Sequence, residues 1–150
     1  MWKINKKRLV PHSWLEFEPE TVLDEYDCPL LFTLRDIPGN KYLAYFCDMD
    51  GSGVRFLVVP FTDNLETKLV GGDIDLRGVL IRSPMWVFDL DKKWNPVRAW
   101  KVVLADLPKN LIPNPGVMLR PGMQPLTKPV IVQSNTGTAS VTRNLVYAGA

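Results

Sequence analysis

The turn Asp48-x-Asp50-x-Ser52-Gly53 carries the residue types with which a protein could bind a metal ion. Carboxylates at the first and third positions and a hydroxyl at the fifth match the first half of a calcium-binding loop, whose oxygen atoms wrap a hard cation. The match fails at the twelfth position, where Val59 stands in place of the bidentate glutamate. The sequence therefore favours a polar hairpin turn and leaves Asp48, Asp50 and Ser52 as weak candidates for metal ligands.

Other catalytic and cofactor chemistries lack a signature in this sequence. His12 is the one histidine, and neither a cysteine nucleophile nor a G-x-S-x-G turn lies near it, which argues against a histidine-dependent hydrolase. The common nucleotide-binding fingerprints, G-x-x-x-x-G-K-[ST] and G-x-G-x-x-G, do not occur. Cys28 and Cys47 lack the usual zinc spacing and are interpreted as reduced core residues. We therefore expect no cofactor and assign no catalytic residue.

The tryptophans point to an interaction role instead. The chain has five of them, and those at positions 2, 14 and 94 fall outside the predicted strands. An exposed aromatic side chain in such a place more often anchors an interface than fills a core. The tail contributes further apolar candidates. The predicted partner-binding residues are Trp2, Trp14, Trp94, Val117, Met118 and Leu119.

Charge is distributed unevenly along the chain, although the net charge is only +2. Residues 1–8 and residues 107–150 each hold four cations and no acid, whereas the body between them holds ten cations against sixteen acids. The basic ends either fold back on this acidic body or reach a partner's acidic surface or a phosphate backbone. In the last case the tryptophans could stack on the bases of a single strand. The residues of this nucleic-acid alternative are Lys3, Lys6, Lys7, Arg8, Lys92 and Lys93.

The elements that must position these residues form a β-rich body. Its strands are predicted from runs of β-branched and aromatic residues between turn signals. Asp36-Ile37-Pro38-Gly39-Asn40, between the first two strands, suits a type II turn because a glycine follows a proline. The predicted strands are residues 30–35, 41–48, 54–61, 85–90 and 97–104.

Two short helices are predicted between the third and fourth of these strands. Asp63, followed three residues later by Glu66, resembles a capping box, and two consecutive glycines after residue 70 can end the first helix in a left-handed turn. Apolar residues at positions 76, 79 and 80 then share one helical face, and Asp73 or Asp75 can cap this second helix.

The predicted architecture is an α+β domain over residues 20–107, built on an antiparallel β-meander with two short helices. A basic amino-terminal arm precedes it over residues 1–19. Six prolines between positions 108 and 129 are incompatible with an interior helix or a central strand. Residues 108–150 are therefore predicted to form a proline-rich extended arm in which short strands could form. Long ordered arms usually lie along another surface, either their own domain or a neighbouring subunit.

Two separated motifs carry a resemblance to known proteins. The run Tyr26-Asp27-Cys28-Pro29-Leu30-Leu31-Phe32-Thr33-Leu34-Arg35-Asp36 and the helix entry Gly72-Asp73-Ile74-Asp75-Leu76-Arg77 resemble a family of small bacterial domains of unknown function. Its members share YDxPLLFTxRD and GxIDLRxxL motifs. The resemblance covers residues 23–90 and neither arm, and Cys28 stands where the family is expected to have glycine. It implies the fold and the extent of the domain, and no activity.

Composition narrows the class of protein further. The 46% apolar and 23% charged residues are typical of a packed domain of 150 residues. No apolar run approaches the ~20 residues that a membrane span needs, and the basic start lacks the apolar core of a secretory signal. We therefore expect a cytoplasmic protein without a membrane partner. The function favoured is a non-catalytic assembly or interaction subunit of a bacterial or phage multiprotein complex, with arms that clasp neighbouring subunits or further copies of the chain. The alternative is a nucleic-acid-binding accessory protein that uses the basic amino-terminal arm.

Overall fold

The computed structural model describes residues 1, 17–26, 28–82, 84–119, 126–127 and 145–147. The elements in chain order are β1 (Phe17–Tyr26), β2 (Cys28–Asp36), β3 (Lys41–Asp50), β4 (Gly53–Pro60), α1 (Asp63–Val70), α2 (Leu76–Leu80), β5 (Met85–Asp91), β6 (Pro96–Val102), β7 (Val117–Leu119), β8 (Leu126–Thr127) and β9 (Leu145–Tyr147). Single-turn 3-10 helices occupy Leu104–Asp106 and Lys109–Leu111. Within the described residues, no helix is long and apolar enough to cross a membrane.

Strands β1 to β6 form an antiparallel meander in which each strand pairs with the next along the chain. The full sheet has seven strands in the order β6-β5-β4-β3-β2-β1-β8, while β7 and β9 form a separate two-stranded sheet. The predicted α+β fold, a meander with two short helices, is confirmed.

One strand of the meander was not predicted. β1 has the sequence FEPETVLDEY, which contains four acids and a proline and therefore does not look like a strand. Its pairing with β2 shifts register between Pro19 and Val22, between Val22 and Asp24, and between Asp24 and Glu25. Such bulges break the period-2 alternation from which strands are predicted. The helices consequently lie between the fourth and fifth strands.

The sheet buries apolar side chains on both of its faces. On the helix face, side chains of the strands pack with those of α1 and α2 and with Leu107, Ile112 and Leu119. The other face, called here the concave face, carries a second cluster made of strand residues. The strand residues of the helix face include Leu31, Leu43, Leu57, Val59 and Val87, and those of the concave face include Phe32, Ala44, Phe56, Val58 and Phe88.

Strong curvature gives the concave face its shape. The ring centroids of Phe17 on β1 and Phe88 on β5 are 5.0 Å apart, although three strands separate β1 from β5 in the sheet. In a flat sheet, four interstrand spacings would put these strands about 19 Å apart. The meander therefore curls around the concave face until its first and fifth strands touch across it.

Capping residues fix where the two helices begin. Thr62 caps α1, since its side chain accepts a hydrogen bond from the Leu65 amide at 3.2 Å; the cap thus lies one residue before the predicted Asp63. Asp75, one of the two predicted caps, begins α2 by accepting from the Gly78 amide at 2.8 Å. Gly72 has a φ of 79°, as the predicted left-handed end of α1 requires.

The segment after β6 is tied to α2 by the same motif residues that begin the helix. The second carboxylate oxygen of Asp75 accepts from the Gly116 amide at 2.9 Å, and Arg77 donates to the carbonyl of Pro113 at 3.3 Å. The backbone amides of Gly116 and Gly78 hold the pKa of Asp75 below its ordinary value, and the bond from Gly116 is the larger cause. Residues 108–119, predicted as part of an arm, thus contact the chain's own domain.

The hairpin between β2 and β3 differs in detail from the predicted type II turn. The Gly39 amide donates to the carbonyl of Asp36 at 3.0 Å, and the Asp36 amide donates to that of Asn40 at 3.1 Å. The carboxylate of Asp36 also accepts from the Asn40 amide at 2.7 Å. This is a three-residue connection in which Gly39, with a φ of 98°, takes the left-handed position.

We expect the Asp75→Asn substitution to lower the free energy of unfolding by about 1 kcal/mol at pH 7, because hydrogen bonds to a charged carboxylate are stronger than those to an amide. Since folding lowers the pKa of Asp75, its contribution is complete above the unfolded pKa of about 3.9 and is lost as the pH falls through the folded pKa. Urea unfolding of the native protein and of Asp75→Asn, at pH 7 and below pH 3, measures how the stability difference between them changes with pH. The exposed Asp73→Asn is the control, and a difference that stays constant with pH would contradict the assignment.

Candidate functional site: an aromatic cleft on the concave face

The curled sheet encloses a cleft of about 240 Å³ on its concave face. Its walls come from strands β1 to β6 and from the β5–β6 turn. Asn95 supplies a polar side chain, and none of the described residues that line the cleft is charged. Five of the lining residues are aromatic, namely Phe17, Phe32, Phe56, Phe88 and Trp94.

The aromatic rings of the cleft contact one another mostly edge to face. The rings of Phe32 and Phe56 are 5.1 Å apart at 74°, and those of Phe56 and Trp94 are 5.4 Å apart at 52°. Ring pairs in this distance range stabilise each other beyond the burial of their area. The cleft is therefore an apolar surface of mutually packed rings, and Trp94 is half-buried among its lining residues.

The turn that carries Trp94 has the same hydrogen bonds as the turn after β2. The Trp94 amide donates to the carbonyl of Asp91, and the Asp91 amide donates to that of Asn95, both at 2.9 Å. The Asp91 carboxylate accepts from the amides of Lys93 and Asn95, each at 2.9 Å. The bond from the Asn95 amide is the main cause that lowers the pKa of Asp91.

Trp94 occupies the left-handed position of its turn, where the matching turn has Gly39. Its φ is 67°, and it is the one described residue other than glycine with a positive φ. A bulky residue in this conformation costs about 1–2 kcal/mol relative to an ordinary backbone. Such strain persists where the surrounding structure imposes it and is concentrated at functional sites. The side chain placed by the strained backbone lines the aromatic cleft.

The other predicted partner-binding residues have different surroundings. Trp2 and Trp14 lie outside the described residues. Val117, Met118 and Leu119 form β7, which pairs with β9 of the same chain. Leu119 is 2% exposed within the chain's own core, and Val117 packs against that core. Contact of these residues with a partner stays a prediction.

The basic residues of the nucleic-acid alternative are only partly described. Lys3, Lys6, Lys7 and Arg8 lie outside the described residues. Lys92 and Lys93 are exposed on the β5–β6 turn, directly before Trp94. They therefore place two positive charges beside one end of the cleft.

The weak candidates for metal ligands form a hydrogen-bonded turn between β3 and β4. One oxygen of the Asp50 carboxylate accepts from the Ser52 hydroxyl at 2.5 Å and from the Ser52 amide at 2.7 Å, and the other accepts from the Met1 amino group at 3.1 Å. The Ser52 bonds hold the pKa of Asp50 well below its usual range. Asp48 accepts from the Met49 amide. The part of the chain that the structure describes has no group of three or more histidine, cysteine, aspartate or glutamate residues that could hold a metal.

A charged cluster that the sequence did not predict lies across β4, β5 and β6. The Arg55 guanidinium makes a bidentate pair with Asp89, at 2.6 Å and 2.9 Å, and both side chains are buried. Arg98 approaches the same carboxylate at 3.3 Å, and both guanidinium groups lie 5.2 Å from the ring centroid of Trp100. Arg55, Asp89 and Arg98 lie opposite one another on three neighbouring strands. The sequence could have predicted this cluster only if the pairing of those strands had been known.

Cys47 lies beside this cluster on the helix face. Its thiol donates to the backbone carbonyl of Arg55 at 3.4 Å. Burial raises the pKa of the Cys47 thiol, which makes it a poor nucleophile at neutral pH. The cluster therefore holds neighbouring strands together and provides no activated cysteine.

Compared with known proteins, the chain matches no family model, no curated protein and no solved structure. The resemblance to a bacterial domain family through the two motifs stays a prediction. The function is therefore inferred from the geometry of the cleft.

Two substitutions at Trp94 separate the backbone strain from the contacts of the ring. Alanine and glycine both remove the indole, but only glycine relieves the left-handed backbone. We expect Trp94→Ala to be less stable than Trp94→Gly by about 0.5–1 kcal/mol. This difference is the cost of a left-handed backbone for alanine, reduced by the greater conformational entropy that glycine loses on folding. Urea unfolding measures the difference.

Gly39→Ala is the matched control for this prediction. A Cβ at Gly39 would meet no atom within 4 Å, so that this substitution reports the cost of the backbone conformation alone. It should destabilise the protein by a similar amount. If Trp94→Ala proves as stable as Trp94→Gly, the Trp94 backbone is not strained.

Proposed function

We propose that the chain is a non-catalytic interaction protein that captures an apolar side chain of a protein partner in the aromatic cleft. The observation that carries the proposal is the placement of Trp94. This residue lines the cleft from a backbone conformation that the matching turn gives to glycine. A backbone conformation that costs stability at a residue lining a cleft suggests a use for its ring.

The size and chemistry of the cleft support a side chain as the ligand. Sites for drug-sized molecules typically have volumes of about 300–1,000 Å³ and several convergent polar groups. This cleft is smaller, at about 240 Å³, and Asn95 is the one amide side chain among its lining residues. It therefore suits one aromatic or large aliphatic group, which is how anchoring residues enter pockets at protein interfaces.

N-acetyltryptophanamide and N-acetylphenylalaninamide are suitable probes, since each carries an aromatic side chain between peptide groups. We expect saturable binding with a Kd of roughly 1 mM, as befits a single anchoring side chain. The amide resonances of β2, β4 and the β5–β6 turn should shift in nitrogen-15 NMR spectra. Absence of saturable shifts at these residues up to tens of millimolar probe would refute the cleft as a binding site.

A pair of alanines provides the variants for this test. Ala44 is fully buried and lines the cleft, so that Ala44→Leu fills part of its volume. Ala99 is equally buried on the same face but does not line the cleft. We expect Ala44→Leu to weaken probe binding at least tenfold and Ala99→Leu to leave it within about twofold, provided that both retain the native NMR fingerprint. Equal binding by both variants would contradict the proposal.

A second candidate function is favoured by the two lysines beside Trp94. Lys92 and Lys93 are exposed, and within the described residues neither forms an ion pair. Cations next to an aromatic ring are the combination with which proteins bind single-stranded nucleic acid. On this alternative the lysines contact phosphates while Trp94 stacks on a base.

Salt dependence tests the nucleic-acid alternative. For a single-stranded oligonucleotide, replacing both lysines by alanine should reduce the slope of log K against log salt by roughly 1.4, about 0.7 for each lost phosphate contact. Fluorescence anisotropy over a range of salt concentrations gives this slope. Lys68→Ala with Arg82→Ala is the control, because these cations are exposed near the two helices. Binding that is absent, or that the control pair weakens as much, would rule out this alternative.

A further inference from the structure

Ile37, on the β2–β3 turn, is the most exposed large apolar side chain among the described residues. Its exposed fraction is 76%, and that of Met49, the next in order, is 62%. Single exposed apolar residues are ordinary on protein surfaces, so the setting of Ile37 has to distinguish it. Residues 38–40 are exposed as well, and a Cβ built on Gly39 would meet no atom within 4 Å. The turn therefore projects from the body of the chain and carries Ile37 with it.

Side-chain hydrogen bonds hold this turn in one conformation. The Asp36 carboxylate accepts from the side-chain amide of Asn40 at 3.0 Å and from the Tyr42 hydroxyl at 3.1 Å. Arg35 donates to the carbonyl of Gly39 at 3.0 Å. An apolar side chain on a preorganised turn loses little freedom when it binds, which favours its use as an anchor.

The chain's own cleft does not hold this side chain. Ile37 is not among the residues that line the cleft, and its exposure leaves it accessible to another molecule. Isoleucine is one of the large aliphatic groups that the cleft suits in size. The chain therefore carries both an apolar anchor and an apolar cleft on separate surfaces.

The surroundings of Ile37 are acidic. Three acids and one cation lie around it, namely Glu18, Glu20, Asp36 and Arg35. The cation is already paired, since Arg35 donates to Glu20 at 2.9 Å. Lys41, which follows the turn, is paired with Glu66 of α1 at 2.6 Å. The net charge around Ile37 is therefore negative.

The charge beside the cleft is of the opposite sign. Lys92 and Lys93 are exposed next to Trp94, and neither forms an ion pair within the part of the chain that the structure describes. The carboxylate of Asp91 in the same turn accepts from the amides of Lys93 and Asn95. Opposite charges on two surfaces favour their association and fix its orientation.

We propose that Ile37 of one copy of this chain enters the aromatic cleft of a second copy. This inference rests on the function proposed above, because it names the partner of the same cleft. The turn and the cleft are different surfaces, so the contact is heterologous, and each molecule can both donate and receive an anchor.

Titration of a labelled variant tests this contact directly. Nitrogen-15 Ile37→Ser keeps the cleft but has lost the anchor, and unlabelled native protein supplies Ile37. We expect saturable shifts of the amides of β2, β4 and the β5–β6 turn as native protein is added up to about 1 mM. Unlabelled Ile37→Ser should give shifts about tenfold smaller or less, because the anchoring side chain is missing.

Two further unlabelled variants are the controls. Met49→Ser removes another exposed apolar side chain and should bind as the native protein does. Ile37→Leu keeps a large aliphatic group on the turn and should also bind, which separates loss of the anchor from a disturbed turn. Equal shifts with native protein and with Ile37→Ser would overturn the proposal, as would the absence of saturable shifts with native protein.

Substitutions in the labelled copy locate the contact. The shifts should be lost when Ile37→Ser also carries Ala44→Leu, which fills part of the cleft, and should persist with Ala99→Leu. Persistence with both would place the contact outside the cleft and overturn the proposal.

The small probe distinguishes failure of this inference from failure of the cleft. If N-acetyltryptophanamide binds in the cleft of labelled Ile37→Ser but native protein does not, the cleft does capture an apolar group and Ile37 of a second copy is not its ligand. That result would overturn the present inference and leave the proposed function intact.

Discussion

The constraint on which this structure depends is that its strands are apolar on both faces, while the described residues provide only two short α-helices to cover them. The helices and the segment that follows β6 cover the helix face. On the other face the sheet curls until Phe17 meets Phe88, so that much of the apolar surface is buried by curvature alone. Side chains from strands that face one another do not fill the space completely, and the aromatic cleft is what remains.

Two sets of polar contacts hold the strands and the carboxy-terminal segment together. The buried Arg55–Asp89 pair joins β4 to β5, and the exposed Arg98 beside it extends the contact to β6. Loss of either buried partner would remove the bidentate contact of a buried charge and is therefore expected to destabilise the fold. The Asp75 carboxylate attaches the carboxy-terminal segment to α2. One of its oxygens accepts from the Gly78 amide at the start of the helix, and the other accepts from the Gly116 amide.

The cleft and the basic tail have different relations to the body of the chain. The cleft is apolar and lined by strand and turn residues, and its size suits one inserted side chain. Described parts of the tail contact the chain's own domain instead: Gly116 donates to Asp75, and Thr127 pairs with Thr21 of β1.

The sequence by itself determined much of the local structure, namely strands β2 to β6, both helices, and a cap of α2 at Asp73 or Asp75, because periodicity, turns and caps depend on near neighbours. It identified Trp94 as a turn residue suited to an interface, but it did not predict the left-handed backbone, which is rare outside glycine, or the contact with Phe56 on a distant strand. The acidic, bulged β1 was missed because its partners, not its own pattern, make it a strand. The cleft and the buried Arg55–Asp89 pair arise only when distant strands are brought together, and therefore only the tertiary structure decided them.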